Sequence, residues 1–164
     1  MRFSKLLLLL PVLAVALAGC TYSFRGQTAG AIKSIAIPTF ENETAEFGIA
    51  ERVTEELVRG FQRDGTLRIT STEQADAVLS GRITRLEDMP YTARADQTVE
   101  EYRFSMTCEI ELTDNRTQQV LWTQTYPAWA VYPYTGSLEY RDQAIQEAVS
   151  KLQQDLLNRI VGSW

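Results

Sequence analysis

The chain has 164 residues, of which 16 are Lys or Arg, 21 are Asp or Glu, two are Cys and none is His. The absence of histidine excludes Ser-His-Asp and Cys-His nucleophilic systems and His-based metal sites. A net charge of −5 opposes non-specific nucleic-acid binding, so an anionic ligand must be met by a local basic cluster.

The first element is an export signal. Arg2 and Lys5 form a short basic region, and Leu6 to Leu17 an apolar run interrupted by Pro11 and too short to span a bilayer. Leu17-Ala18-Gly19-Cys20 then reads as a lipoprotein processing site, with residues 1–19 removed and Cys20 left as the lipidated first residue. Its thiol would carry a diacylglycerol and the freed amine a further chain such as palmitate; two or three chains anchor stably where one does not. Thr21, rather than Asp, after the cysteine resembles the outer-membrane sorting state. The mature charge becomes −7, with 14 basic against 21 acidic residues, and residues 20–30 form the lipidated N-terminus and a short tether. Cys108 is then without a disulfide partner.

Residues 31–164 read as a single α+β domain. Ile32 to Ile37 is a β-branched strand that stops at Pro38, followed by a turn through Asn42 and Thr44. Ile49, Val53, Leu57 and Phe61 make the stripe of an amphipathic helix that ends at Asp64-Gly65. Leu67 to Thr70 is a second short strand, and strand-helix-strand over 32–70 implies a parallel right-handed crossover. Longer strands follow: Ala77 to Thr84, then a clean alternation with Tyr102, Phe104, Met106, Cys108, Ile110 and Leu112 inward and Arg103, Ser105, Thr107, Glu109 and Glu111 outward. Cys108 is on the apolar side, so it reads as a small buried hydrophobe. After Asp114-Asn115, Val120, Trp122 and Tyr126 continue the inward face. Tyr126 to Tyr134 holds four aromatics and two prolines, and is either an edge packed on the helices or a contact surface, with Tyr126, Trp129, Tyr132 and Tyr134 as interface candidates. A last helix is capped by Ser137 and buries Leu138, Ile145, Val149, Leu152, Leu156 and Ile160. The order is β-α-β-β-β-β-α: a mixed sheet of four to five strands with two amphipathic helices packed on one face and a polar face opposite.

The lipobox followed by Tyr22-Ser23-Phe24-Arg25-Gly26, the stretch Ile35 to Asn42, the opening Glu101-Tyr102-Arg103, Leu121-Trp122 after a turn and the terminal helix together resemble the lipopolysaccharide-assembly lipoproteins, LptE. The resemblance implies two helices on a mixed sheet, anchored by lipid at the outer membrane inside an LptD-type β-barrel. It implies that the protein supports barrel assembly, plugs the pore and binds lipopolysaccharide. It also places a ligand-contacting basic residue on the connection from Glu87 to Thr98, where Arg94 stands, and another near the last helix, where Glu139 and Arg141 compete. Arginine suits lipid A phosphates because its planar fork donates bidentately. Arg82, Arg85 and Arg103 extend a basic strip if neighbouring strands align them, or are solvated strand charges.

Two other classes compete. An activator of a cell-wall synthase, or another envelope scaffold, would need a long tether, and residues 21–30 are too few. An enzyme using paired carboxylates among Glu100, Glu101, Glu109 and Glu111 is disfavoured because alternation explains them as a solvated face. No catalysis, metal or cofactor is expected.

Overall fold

The structure, a computed structural model, describes residues 32–95 and 98–162. The signal, Cys20 and the tether lie outside the described residues.

A mixed sheet is built from β1 (Ser34–Ala36), β2 (Glu41–Asn42), β3 (Arg68–Ile69), β4 (Ala77–Ala93), β5 (Val99–Asp114) and β6 (Gln119–Pro133). Its order is β3-β1-β4-β5-β6, with β2 also on β4. β1 runs parallel to β3 and β4, as the crossover requires, and β4-β5-β6 is an antiparallel meander. At about 3.3 Å per residue the meander is about 50 Å long. Its lower end holds the β5–β6 turn and the start of β1; its upper end holds the β4–β5 turn. The lower end is fastened by Asp76, whose carboxylate accepts from the amides of Lys33 (3.0 Å) and Ser34 (2.9 Å) and from the Ser34 hydroxyl (2.8 Å). Those donors, the hydroxyl foremost, hold its pKa below the usual carboxylate range.

Two helices, α1 (Ile49–Asp64) and α2 (Leu138–Gly162), pack beside each other on one face. Arg52 pairs with Asp142 (2.6 Å) and Gly60 meets Gln153, so the two run parallel. A methyl at Gly60 would come within 2.6 Å of the Gln153 side chain, which would have to shift to admit it. Between layers lie Ile35, Leu57, Phe61, Leu79, Ile83, Phe104, Met106, Ile110, Leu112, Ile145, Leu152 and Leu156, all essentially without solvent contact. Cys108 sits among them and burial pushes its thiol up to about 12, so it packs as a hydrophobe.

The structure departs from the sequence reading in four places. There are six strands rather than four to five, because after Pro38 the chain returns to β4 as β2, where a turn was expected. The connection from Glu87 to Thr98 is mostly strand: β4 continues to Ala93, and only a short turn remains, closed by Arg94 N–H donating to Thr98 O (2.9 Å). Pro90 is tolerated because, among the described residues, no strand pairs with β4 on its outer side beyond Ile83. Val120 is 53% exposed rather than inward, since Leu112 pairs with Trp122 and Thr113 with Val120, leaving Leu121 as a bulge that shifts the phase. Leu138 is 77% exposed because it precedes the level at which α1 begins and has no helix beside it.

Candidate functional site

The upper end of the meander gathers most of the sequence candidates. Arg94 stands at the β4–β5 turn with its side chain two-thirds exposed, paired to Glu100 across the hairpin. Arg141, on the first turns of α2, is held instead in a network. It donates bidentately to Glu46 (2.8 and 2.7 Å) and twice to Asp88 of β4 (3.0 and 2.9 Å), and lies 5.4 Å from the centre of the Phe104 ring. Glu46 is held below its ordinary pKa by the Arg141 hydrogen bond, and Arg141 is raised above its own by the same bond. Tyr132 donates its hydroxyl to Asp88 (2.9 Å), and burial with this bond pushes it up to about 12, so it remains a donor at neutral pH. Glu139, which competes with Arg141 in the sequence, is exposed.

Neither Glu46 nor Asp88 was marked by sequence reasoning. Asp88 sits across from Phe104 and projects toward the helix side, and its partner is 53 residues away. Nor did periodicity identify the apolar surface around the network: Phe47, Tyr91, Tyr134, Leu138 and Tyr140 are all exposed at this end. Tyr132, Tyr134, Leu138 and Arg141 line a cavity of about 270 Å³ there.

The interface candidates separate. The stretch from Tyr126 to Pro133 is part of β6, the sheet edge, so it packs on the helices and is also accessible. Tyr126 is 7% exposed against α2, Trp129 faces out at 45%, Tyr132 is half-buried and Tyr134 is 61% exposed. Tyr102 bridges the last two, with ring centres 6.0 Å from Tyr132 and 5.1 Å from Tyr134.

The open face does not gather its arginines into one strip. Arg82 is paired with Glu109 (2.7 Å) and Glu43 (3.2 Å) beside a cavity of about 400 Å³, and Arg85 with Glu87 (3.5 Å). Arg103 stands six residues along β5 from Glu109, about 20 Å away, with its guanidinium 5.8 Å from the Trp129 ring centre. Among the described residues Arg103 forms no ion pair. No group of His, Cys, Asp and Glu in the described residues is arranged to hold a metal, and no described helix is long and apolar enough to cross a membrane.

Comparison with solved structures gives the same fold at low identity. Protein XCC0632 from Xanthomonas campestris superposes with a TM-score of 0.59 at 12% identity, covering 78% of this chain and 84% of that one. The uncharacterized lipoprotein B from Nitrosomonas europaea gives 0.52 at 13%, covering 80% and 86%. The hypothetical protein CT253 from Chlamydia trachomatis gives 0.51 at 13%, covering 80% and 95%. No curated protein matches the chain. The family model for LptE, lipopolysaccharide-assembly, matches residues 32–161, which is every element of the sheet and nearly all of both helices. The chain therefore belongs to the lipopolysaccharide-assembly family LptE.

Proposed function

We propose that this protein is an outer-membrane lipoprotein, anchored through Cys20, that supports assembly of an LptD-type β-barrel, plugs its lumen and binds lipopolysaccharide on its way to the outer leaflet. The observation that carries the reading beyond family membership is the layout of the meander. The chain enters the fold at the lower end, and Arg94 stands about 50 Å away at the upper end among exposed aromatics. That length exceeds the roughly 30 Å hydrocarbon core of a bilayer, so a domain enclosed lengthwise in a barrel would span it. Arg94 has five donors and spends one on Glu100, which leaves the fork available to a lipid A phosphate.

Affinity purification from outer membranes tests the assembly. A large β-barrel recovered in equal amount is the expected result, whereas a penicillin-binding protein in its place would support the synthase-activator reading. The ligand contact is tested separately with the purified protein. Arg94→Asp removes a charge-assisted hydrogen bond of about 1.5–3 kcal/mol and adds repulsion, so lipopolysaccharide binding should weaken by about tenfold or more. Its thermal midpoint should be unchanged, because the side chain is exposed at a turn. Equal binding by wild type and variant removes Arg94 from the site.

A further inference from the structure

β6 is an edge strand, and its two halves are treated differently. Pro127 pairs with Thr107 but has no N–H to give, so its nitrogen faces away from β5. Trp129, two residues on, has the same phase: Lys151 of α2 reaches round the edge and donates to its carbonyl (3.1 Å). The residues whose backbone groups face outward are therefore Thr123, Thr125, Pro127, Trp129, Val131 and Pro133. In the upper half two of these are prolines and a third is capped by a lysine, which are ordinary means of blocking an edge. In the lower half Thr123 and Thr125 each present an N–H and a C=O outward, and nothing among the described residues caps them.

The helix-side flank of this same open half carries donors without acceptors. The Trp122 indole N–H and the Tyr126 hydroxyl are buried and have no hydrogen-bond partner among the described residues, Tyr126 being 7% exposed. Their rings meet edge-on at 6.4 Å. Arg159 of α2 lies 6.0 Å from the Trp122 ring centre and forms no ion pair among the described residues. Asp155, one turn earlier, also faces Tyr126, and Lys151 is committed to Glu147 and to Trp129. On the other flank Val120 and Leu121 are exposed.

We propose that β6 from Gln119 to Tyr126 is a docking edge for an extended acidic segment of a protein partner, which adds as a further strand. Its backbone exchanges hydrogen bonds with Thr123 and Thr125, and alternate side chains face α2, where a carboxylate meets Arg159, Trp122 and Tyr126. A carboxylate placed here is attracted by the Arg159 charge and can accept from the Tyr126 hydroxyl or the Trp122 indole, and an unpaired buried donor is costly enough to make that exchange favourable. A phosphate could answer the donors, but it cannot supply the N–H groups that the outward carbonyls of Thr123 and Thr125 require.

The test uses the full chain in detergent micelles, labelled with ¹⁵N, and a capped seven-residue peptide alternating Val and Glu. Binding should shift the Trp122 indole resonance and slow exchange of the Thr123 and Thr125 amides by about tenfold. A peptide with Lys in place of Glu should bind at least tenfold more weakly, and Arg159→Glu should reverse that preference. Thr125→Pro should weaken the Glu peptide about tenfold at an unchanged thermal midpoint, since its N–H is not used in the sheet. The inference is overturned if neither peptide protects these amides, if both protect them equally, or if lipopolysaccharide produces the shifts and the Glu peptide does not. Should Thr125→Pro lower the midpoint, the exposed Arg159→Glu variant decides alone.

Discussion

Arg141→Met should destabilise the protein by about 3 kcal/mol at neutral pH, and the loss should shrink on acidification. The methionine keeps much of the stem that lies on Phe104, so what is removed is the charge that Glu46 and Asp88 share. The Arg141 side chain is only 21% exposed, and breaking a partly buried network leaves its carboxylates uncompensated. The signs are opposite in the two proteins. In the wild type Glu46 has a folded pKa below its unfolded value of about 4.3, so its contribution is present above that value and is lost as pH falls through the folded one. In the variant Glu46 loses the Arg141 hydrogen bond that held its pKa down and keeps the burial that penalises its charge, which moves its pKa upward; the penalty is full at neutral pH and fades as pH falls through that pKa. Denaturant unfolding of both proteins at pH 7.5 and 4.5 measures this. A gap below 1 kcal/mol that is equal at both pH values would show that the network adds nothing. Arg141→Lys should recover only part of the stability, since an ammonium cannot serve both carboxylates with forked geometry.

This network marks the limit of what the sequence makes legible. Each helix shows one stripe, and β5 shows strict alternation because its inner face is core along most of its length; these periods are local, and apart from Leu138 both read correctly. The family was legible too, since the ordered motifs from Ile35 onward run through the same span that the LptE model matches. The upper part of β4 was not. Glu87-Asp88-Met89-Pro90 has the composition of a loop, and it becomes strand only because Pro90 is on an unpaired edge and Asp88 is met by Arg141 and Tyr132. Such compensation comes from residues 44 and 53 positions away, which no local window contains. The same holds for Arg141 itself, whose partner Glu46 lies 95 residues earlier. β2 depends on a two-residue return to β4 after the Pro38 interruption, and the phase of Val120 on a single-residue bulge.

The second large effect is expected at Gly81. Phe40, between β1 and β2, crosses β4 where Gly81 has no side chain, and a methyl built there would lie 2.2–2.5 Å from three atoms of the Phe40 ring. The ring cannot swing aside cheaply. It is 3% exposed, and its backbone amide donates to the Thr54 hydroxyl (2.9 Å), which in turn donates to the Ala50 carbonyl (2.7 Å), fastening the crossover to α1. Gly81→Val should therefore cost about 3 kcal/mol by overpacking, although valine is the better strand residue. Phe40→Ala should cost a comparable amount by leaving a cavity. Because the valine fills the space that the ring vacates, the double variant should be less destabilised than the sum of the singles by about 2 kcal/mol. That coupling separates a direct clash from a general intolerance of β4 to substitution, for which the two costs would simply add.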